Sequence, residues 1–576
     1  MRKENTDHSA GSDGSALDRR LFLGMLGALG AGVGFSGTAG ADEHEEESAP
    51  KPEEGWEDEA NDRIGEHRVA DLEVSVVDAG GDPLETEVGV EMLEHEFTFG
   101  TAIDAPRLTG DDEDSERYRE HIPELFNGAV LENHHKWRFW EENQAGADTS
   151  WALDHSGADD LDAEANLSDV ATEWILDQGL DVRGHAALWA NRGVDAIPED
   201  VLEALDEGDG EYVRERTHEH IQRIIEYYGE DMLHWDVVNE AIHEPEMIEV
   251  IDGEDVDPVE APVLADWYRT ATEAAPEGVA LDVNDYNTLA GPYEETREQY
   301  ERQIEFLNGA DGVELGGAGM QSHFSEAETL TPGQIMEGLD RYAAHDVELR
   351  ITEYDMADPE WDEEDKAEFF ERFLKTVFSH PDVEDFLMWG FWDDEHWQGD
   401  APLFYEDWEP KPTHEVYTDL VFEEWWTDES GTTDDGSDSF EAFLGEHELS
   451  VSFADGEFRT ELSITDSDGE SVEVVVADLD VRGTADDRQK GTIPVHVPSD
   501  EAFNPTALDP DTVRFGTPEA VNAGEGATPR SDEIAGDGRK GCLFHFDADE
   551  SALEGGVAML SGRTEDGRLV VGFDRY

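Results

Sequence analysis

Two glutamates in this chain directly follow short apolar runs that have the composition of buried strands. Glu240 ends the segment Trp235-Asp236-Val237-Val238-Asn239-Glu240, and Glu353 ends the segment Leu349-Arg350-Ile351-Thr352-Glu353. The carboxyl ends of parallel strands are where α/β barrels carry their chemistry. Two carboxyl groups on two such ends are what hydrolysis of a glycosidic bond requires. The alternative, that Glu240 only caps a following helix, does not account for the second glutamate.

The chain has an extreme excess of acidic residues. Its 576 residues include 146 Asp and Glu against 37 Lys and Arg, which gives a net charge of −109. With 38% hydrophobic residues it can still form a core, and its length suits one large domain plus a smaller one. Such charge repels itself where screening extends about 8 Å, and much less at molar salt, where it extends about 3 Å. We therefore predict a halophilic protein.

The acidic charge also bears on the partners of the chain. Nucleic acids and anionic membranes need a basic face, so we predict no nucleic-acid partner and no membrane association of the mature form. A neutral polysaccharide meets no such objection. The single cysteine, Cys542, excludes internal disulfides and a Cys-rich metal site, and no His-Glu-x-x-His pattern is present. We predict no metal site and no cofactor.

Residues 1–41 have the pattern of an export signal. A twin-arginine motif at Arg19-Arg20 precedes an apolar run to Phe35 and a small-residue exit at Ala39-Gly40-Ala41. The run is too short for a comfortable membrane span, although an arginine pair before an anchor helix is the alternative. We predict a secreted, extracellular protein exported by the twin-arginine pathway, with residues 42–63 as an acidic linker.

The remaining chain divides by its hydrophobic pattern. Residues 64–96 alternate around a Gly-Gly turn, which predicts a short N-terminal β segment, a hairpin or small sheet. Residues 97–425 alternate strand-like and helix-like runs, which predicts an α/β fold, a (β/α)8 TIM barrel. Residues 426–439 are predicted to be a linker, and residues 440–576 a C-terminal all-β domain of the sandwich type. The predicted barrel strands are 97–102, 128–132, 181–188, 233–239, 279–284, 319–322, 347–353 and 386–392.

Motifs in the predicted barrel match, in order, those of glycoside hydrolase family 10, the endo-β-1,4-xylanases. The matching segments are Phe126-Asn127, 132–137, Arg183-Gly184-His185 with Trp189, 235–240, 284–287, Gln321-Ser322-His323, Ile351-Thr352-Glu353, Trp389-Gly390 with Trp397, and Lys411-Pro412. The barrel therefore resembles this family. The resemblance implies a retaining endo-β-1,4-xylanase that acts on xylan, or on a related β-1,4-linked polysaccharide, by double displacement.

The resemblance also implies a role for each matched residue. Glu240 would be the general acid/base and Glu353 the nucleophile, while Asn239 would bind the sugar 2-hydroxyl. His323 would orient Glu353, with Asp355 fixing the imidazole; in isolation a core histidine would be the simpler interpretation. The residues expected to line the glycone subsites are Glu132, Asn133, Lys136, His185, Trp189, Gln321, Trp389 and Trp397. Lysine is rare in this chain, so Lys136 indicates a specific role, the alternative being a surface ion pair.

Two segments depart from the pattern of the family. Ala190-Asn191-Arg192 stands where bacterial members usually have His-Ser-Gln, and Phe391-Trp392 where Val-Thr is commoner. Both departures are predicted to lie at the substrate cleft. The glycan therefore stays open: the alternatives are another β-1,4-glycan, a transglycosylase, or a non-catalytic glycan-binding barrel. Residues 440–576 contain no Trp, so a carbohydrate-binding module and a purely stabilising domain both stay open.

Overall fold

A computed structural model of the chain describes residues 50–146, 166–482, 491–530, 532–534, 541–551, 553 and 556–575. The predicted export signal, residues 1–41, lies outside the described residues. By its internal contacts the chain divides into two compact units. We call the described residues up to Arg63 and Thr98–Leu420 the barrel unit, and Ile64–Phe97 with the described part of Val421–Tyr576 the β unit.

The described residues alternate strand and helix in the barrel unit and are mostly strand in the β unit. The strands are β1 Val69–Asp78, β2 Glu87–His95, β3 Thr98–Ile103, β4 Gly128–Leu131, β5 Asp181–Gly184, β6 Leu188–Trp189, β7 His234–Asn239, β8 Ala280–Asp285, β9 Gly317–Met320, β10 Glu348–Tyr354, β11 Val383–Met388, β12 Asp428–Thr432, β13 Ser437–Phe443, β14 Gly445–Phe453, β15 Gly456–Ile464, β16 Glu470–Val476, β17 Asp480–Val481, β18 Thr492–Pro498, β19 Arg514–Gly516, β20 Asp532–Ile534, β21 Gly541–Asp547, β22 Val557–Arg563 and β23 Leu569–Arg575.

The helices flank the barrel strands and are rare in the β unit. They are α1 Trp56–His67, α2 Ala105–Thr109, α3 Glu113–Leu125, α4 Trp137–Gln144, α5 Leu167–Asp177, α6 Glu199–Glu207, α7 Gly210–Tyr228, α8 Glu246–Asp252, α9 Pro262–Ala274, α10 Glu294–Asn308, α11 Pro332–Ala343, α12 Glu363–Phe378, α13 Pro412–Asp419 and α14 Pro518–Asn522. Within the parts of the chain that the structure describes, no helix is both long and apolar enough to cross a membrane.

The barrel unit contains a closed ring of eight parallel strands, which confirms the predicted TIM barrel. The strands follow the order β5-β4-β3-β11-β10-β9-β8-β7, and pairing of β5 with β7 closes the ring. Each observed strand overlaps one of the eight predicted runs. The run predicted at 181–188 is divided, because β6 pairs only with β7, at Trp189 opposite Asn239.

The barrel strands are buried on both faces, as expected for parallel strands covered by helices. All six residues of β7 are buried, and so are all residues of β10 except Glu348. Gly184 of β5 allows Trp235 of β7 to pack across it, since a Cβ there would lie 2.3 Å from the indole. Helix α12 covers β10, with the Phe373 ring stacked 5.0 Å from that of Tyr354. The strand ends are therefore held on a packed frame.

The β unit consists of three sheets rather than the two of a simple sandwich, although its all-β character is confirmed. Their strand orders are β12-β2-β14-β15, β13-β1-β16-β23-β22-β19 and β17-β18-β21-β20. The six-stranded sheet contributes to two separate apolar clusters. Val474 and Val571 belong to one cluster, and their neighbours Val475 and Val570 to the other. Because strand side chains alternate, this sheet is covered on both faces.

Three predictions about the segments around the barrel are wrong. Strands β1 and β2 do not form a hairpin, because β1 pairs with β13 and β16 while β2 pairs with β12 and β14. Residues 426–439, predicted to be a linker, contain β12 and the start of β13. Residues 56–63 of the predicted acidic linker lie in α1, which buries Ala60. The β segment predicted at 64–96 is part of the β unit.

The misread linker has a physical explanation. Strands β12 and β13 are both edge strands of their sheets, and β12 exposes four of its five residues. Natural edge strands carry charged residues because these discourage pairing with other chains. An edge strand of a very acidic protein therefore has the same composition as a solvated linker.

Candidate active site

Glu240 leaves β7 with a backbone conformation that turns its side chain into the rim of the barrel. Its φ of 58° lies in the left-handed region, which costs a non-glycine residue about 1–2 kcal/mol. The surrounding hydrogen bonds hold this conformation: the Glu240 amide donates to the Asn284 carbonyl at 2.8 Å, and the Glu240 carbonyl accepts from the amides of His243 and Glu244. Such strain is typical of functional sites.

The Glu240 carboxyl group is almost fully buried and has two neutral donors. Trp189 Nε1 donates to Oε2 at 2.7 Å, and Gln321 Nε2 donates to Oε1 at 2.9 Å. Burial, together with the negative charges of Asp285 and Glu353, raises the pKa of Glu240 to about 7, against the two hydrogen bonds. The group therefore keeps a proton close to neutral pH and can donate it.

Glu353, at the end of β10, is equally buried but has the opposite electrostatic environment. Asn284 Nδ2 donates to its Oε1 at 2.8 Å, and His323 Nε2 lies 3.4 Å from its Oε2. Burial alone would raise the pKa of Glu353, but the hydrogen bond and positive charge of His323, together with the charge of Arg183, lower it below the ordinary value. Glu353 is thus ionised where Glu240 is protonated.

His323 is held in place by Asp355. Its Nδ1 lies 2.9 Å from Asp355 Oδ2, which also accepts from Trp397 Nε1 at 2.7 Å. Burial lowers the pKa of His323, but the charge and hydrogen bond of Asp355 outweigh it and raise the pKa to about 10. The pKa of Asp355 is correspondingly well below its usual range, because His323 and His396 offset its burial. The imidazolium therefore presents a fixed positive charge to Glu353.

A network of side-chain amides joins the two carboxyl groups. Asn284 Nδ2 donates to Asn239 Oδ1 at 2.9 Å as well as to Glu353, and Gln321 Nε2 lies 3.4 Å from the same Asn239 oxygen while it donates to Glu240. Because Asn239 Oδ1 accepts from this network, its NH₂ group is turned to the other side of the side chain. The network fixes the orientation of all three amides.

Lys136 is buried at the same rim, with 4% of its surface exposed. Its Nζ donates to Asn133 Oδ1 at 2.9 Å and lies 4.5 Å from the centre of the Trp189 ring. Burial lowers the pKa of Lys136, against the charges of Glu132 and of the two strand-end glutamates. The alternative of a surface ion pair is therefore wrong for this lysine.

His185 and Trp389 form a further part of the rim. The His185 ring stands edge-on to the Trp389 ring with 5.1 Å between centres, and His185 Nδ1 lies 2.7 Å from Asp236 Oδ2. Asp236 also forms an ion pair with Arg183, whose Nη1 donates to the Thr352 carbonyl at 3.0 Å. The ends of β5, β7 and β10 are thereby tied together under the two glutamates. The contacts described above bring the predicted site residues other than Glu132 together at one rim, and Glu132 acts there on Lys136 through its charge.

The departure at Phe391-Trp392 does not lie at the cleft as predicted. Both side chains are about 1% exposed. The Trp392 ring stacks on Trp408 at 4.1 Å and 15°, and the Phe391 ring stacks on Tyr118 at 4.9 Å and 19°. These large side chains fill the interior around α3, so they offer no face to a sugar ring.

The departure at Ala190-Asn191-Arg192 ties two rim loops together. Asn191 Nδ2 donates to Glu244 Oε1 at 3.2 Å, and Arg192 forms a two-point ion pair with Glu246 at 2.7 and 2.8 Å. Glu244 lies on the loop after β7, and Glu246 is the first residue of α8, which follows that loop. The altered segment therefore contacts the loop that carries the strand-end acid.

Sequence reasoning did not assign a role to four residues of this site: Asn284, Asp285, His243 and Asp236. Asn284 and Asp285 end β8 as Glu240 follows β7, so their position at a strand end was the available signal. Asp236 is an acid inside an otherwise apolar strand, which was a second signal. His243 had none. Among the described residues, no group of three or more His, Cys, Asp or Glu side chains is arranged to hold a metal ion.

Similarity to known proteins agrees with this geometry. The model of Glycosyl hydrolase family 10 matches residues 90–420, more than half of the chain. The chain is 29% identical over 400 residues to the anti-sigma-I factor RsgI6 of Acetivibrio thermocellus, which covers 69% of this chain and 46% of that protein. It is 25% identical over 307 residues to endo-1,4-beta-xylanase 1 of Arabidopsis thaliana, covering 53% and 28%. The chain thus spans less than half the length of either relative.

Among solved structures, native xylanase 10B of Thermotoga maritima is similar to the chain with 22% identity and a TM-score of 0.44. That similarity covers 57% of this chain and 96% of the xylanase. Since the family model spans most of the barrel and every strand end of the site, the chain belongs to glycosyl hydrolase family 10.

Proposed function

We propose that this protein is an endo-β-1,4-xylanase that hydrolyses internal bonds of xylan with retention of configuration. One observation carries the proposal: two buried carboxyl groups at one barrel rim have opposite pKa shifts, raised for Glu240 and lowered for Glu353. A glycosidase needs such a pair, one group protonated and the other ionised at the same pH. Xylan as the substrate is supported by family membership and by the relatives named xylanases.

In the first step, the ionised carboxylate of Glu353 attacks the anomeric carbon. A bond forms between Glu353 and the sugar, the glycosidic bond breaks, and its electron pair goes to the leaving oxygen. Glu240 gives its proton to that oxygen, so the leaving chain departs as a neutral alcohol. The product of the step is a covalent glycosyl-enzyme with Glu240 ionised.

In the second step, Glu240 acts as a base. It takes a proton from a water molecule, whose oxygen attacks the anomeric carbon and displaces Glu353. Two inversions leave the configuration of the sugar unchanged. The cycle returns Glu240 to its protonated form and Glu353 to its ionised form.

The surrounding residues hold the substrate and the charges of these steps. Asn239, oriented by the amide network, is proposed to bind the 2-hydroxyl, an interaction that strengthens in the transition state. His323, fixed by Asp355, keeps Glu353 ionised. The residues proposed to contact the glycone are Glu132, Asn133, Lys136, His185, Trp189, Gln321, Trp389 and Trp397; the indole faces suit the flat apolar faces of sugar rings.

The test is product analysis with three polymers, xylan, a mixed-linkage β-glucan and cellulose. We expect xylo-oligosaccharides of several lengths from xylan and little release from the other two. Proton NMR of the first product should show the β-anomer, whereas an initial α-anomer would contradict retention. Preference for another polymer would assign that substrate instead, and longer chains from an oligosaccharide donor would indicate transglycosylation.

Binding without turnover would favour the non-catalytic alternative. In that case xylan would retain the protein, but wild type and Glu240→Ala would release equally little sugar. We expect instead that wild type releases reducing ends and that Glu240→Ala does not. Equal turnover by the two proteins would contradict the assignment of Glu240.

Two further proposals concern the surroundings of the enzyme. We propose that the protein folds in concentrated salt, because a net charge of −109 needs screening. Its ellipticity should show native structure at molar KCl and unfolding in dilute buffer; full stability in dilute buffer would contradict this. We also propose export by the twin-arginine pathway, which an Arg19→Lys, Arg20→Lys double variant should abolish in the native host.

A further inference from the structure

His243 and Asp285 form a buried pair next to the proposed acid. His243 lies three residues after Glu240, and its Nδ1 is 2.6 Å from Asp285 Oδ1. Its ring stacks on Tyr286 with 3.7 Å between centres and 16° between planes. The side chains of His243 and Asp285 are 19% and 1% exposed. Both the hydrogen bond and the stacked ring fix the position of the imidazole.

Asp285 is held by donors from two elements besides His243. The Ile242 amide donates to its Oδ2 at 3.0 Å, and the Tyr286 amide donates to its Oδ1 at 2.9 Å. Three donors around one carboxylate stabilise its negative charge. Asp285 therefore presents a fixed charge at the end of β8, beside the loop that carries Glu240.

Charged groups surround both His243 and Glu240. His243 is surrounded by the carboxyl groups of Asp285, Glu240 and Glu244, which outweigh its burial and raise its pKa above the ordinary value. Glu240 faces the charges of Asp285, Glu353 and Lys136, besides its neutral donors Trp189 and Gln321. After burial, Asp285 is the strongest influence that raises the pKa of Glu240.

On the basis of the proposed function, we propose that His243 is a positioning residue: through Asp285, it sets the pH range in which Glu240 carries its proton. A protonated His243 offsets part of the charge of Asp285, so Glu240 experiences only the remainder of that charge. Without the cation, Asp285 acts on Glu240 in full and Glu240 keeps its proton to higher pH. His243 therefore holds the upper pH limit of the acid below the value that Asp285 alone would impose.

The sign of this effect differs between substitutions, which makes the proposal testable. His243→Gln removes the cation and leaves the charge of Asp285. The basic limb of the pH profile of kcat/KM, which reports the loss of the Glu240 proton, should therefore move up by about half to one pH unit. Asp285→Asn removes the anion, so the limb should move down by about one unit. His243→Lys keeps a cation, so the limb should not move up.

The experiment measures kcat/KM for xylohexaose against pH, in salt that keeps the protein folded. Xylohexaose has a poor leaving group, so its cleavage needs the proton of Glu240. His345→Gln is the matched control, because His345 has a carboxylate partner at 3.5 Å and 21% exposure but precedes β10 at the opposite end of the barrel. Circular dichroism of each variant checks the fold.

An independent readout does not require turnover. For wild type and for each variant, an infrared difference spectrum is taken against the same protein with Glu240→Gln added. This difference isolates the band of the protonated Glu240 carboxyl group. The pH at which the band titrates should shift by the same amount as the basic limb of the kcat/KM profile. The inference would be overturned if His243→Gln changed neither the infrared titration of Glu240 nor the basic limb of kcat/KM. Shifts of equal size in His345→Gln would overturn it as well. If wild type does not cleave xylohexaose, the proposed function fails, and the infrared titration still decides the role of His243.

Discussion

Two groups of buried charges, near opposite ends of the barrel strands, differ in how completely the charges are paired. In the lower group, near the amino ends of the strands, Arg350 contacts Asp282 and Asp385 at 2.8 Å each. His234 Nδ1 and Nε2 lie 2.8 and 2.9 Å from the same two aspartates. In the upper group, at the carboxyl ends of the strands, Glu240 has only neutral hydrogen-bond donors and two nearby carboxylates, Asp285 and Glu353.

The two groups therefore use burial in opposite ways. In the lower group, burial is outweighed by the partner charges, so the pKa of both Asp282 and Asp385 is lowered and that of His234 is raised. In the upper group, burial is not compensated at Glu240 and its pKa is raised. The buried charges of the lower group contact opposite charges directly, whereas the buried carboxyl group that must donate a proton has no cation among its hydrogen-bond partners.

The largest expected effect breaks the upper group. Glu353→Gln should lower kcat on xylohexaose about 10⁴-fold or more, because no other group can form the glycosyl-enzyme. Glu240→Gln should lower it about 10²- to 10⁴-fold, but should spare the first step for an aryl xylobioside whose leaving group needs no proton. Burst kinetics on both substrates measure this. Equal loss on the two substrates in Glu240→Gln would contradict the role of Glu240 as an acid.

The next effect breaks the lower group. Arg350→Met should lower the free energy of unfolding by about 3–5 kcal/mol, because it leaves two buried aspartates with one remaining cation. Arg302→Met is the matched control: Arg302 also contacts two acids, Asp257 and Glu260, but is 40% exposed. Its loss should stay below about 1 kcal/mol. Denaturant unfolding at constant salt compares them, and equal losses would contradict the distinction between buried and exposed pairs.

A third effect tests the cost of burying the Glu240 carboxyl group without a hydrogen-bonded cation. Its pKa is about 7 in the folded state against an ordinary 4.5, so stability is fully present below pH 4.5 and is lost as the pH rises through 7. Glu240→Gln removes this loss, but glutamine has a single acceptor oxygen, so one of the two donors, Trp189 or Gln321, loses its acceptor. At pH 8 the variant should therefore be about 2 kcal/mol more stable than wild type. Unfolding from pH 4 to 8 measures the difference, which should change sign at the acidic end, where the variant keeps only the lost hydrogen bond and should be less stable than wild type.

The smallest effect concerns the nucleophile. His323→Gln removes the cation that lowers the pKa of Glu353 most strongly against burial, so the acidic limb of kcat/KM should move up by about one pH unit. The basic limb should stay in place. A shift of the basic limb alone would mean that His323 acts on Glu240 instead.

Much of the barrel could be predicted from the sequence because parallel strands leave a local signal. Each is a short apolar run, and a polar residue at its end lies at the rim whatever the neighbouring strands are. Glu240 and Glu353 could be found in this way. The rarity of lysine was a second usable signal: Lys136, Lys366, Lys375 and Lys411 are all 3–4% exposed, which is where a cation has a specific partner in an acidic chain.

The errors occurred where local composition is ambiguous. An acidic edge strand such as β12 has the composition of a linker, and consecutive strands such as β1 and β2 have the pattern of a hairpin although they lie in different sheets. Trp392 was expected at the cleft from its position after β11, yet it packs against Trp408, sixteen residues further on. Each outcome depended on a partner that the local pattern does not specify.

The sequence alone determined the order of the barrel strands, the two strand-end glutamates and the acidic surface, because each is a property of a short segment or of composition. The resemblance implied which glutamate holds the proton, but only the tertiary structure supplied the physical reason. The difference between the two glutamates comes from burial and from the charges of Asp285, at the end of β8, and His323, just after β9. Both act through space, over distances that are set only when the ring of eight strands is closed.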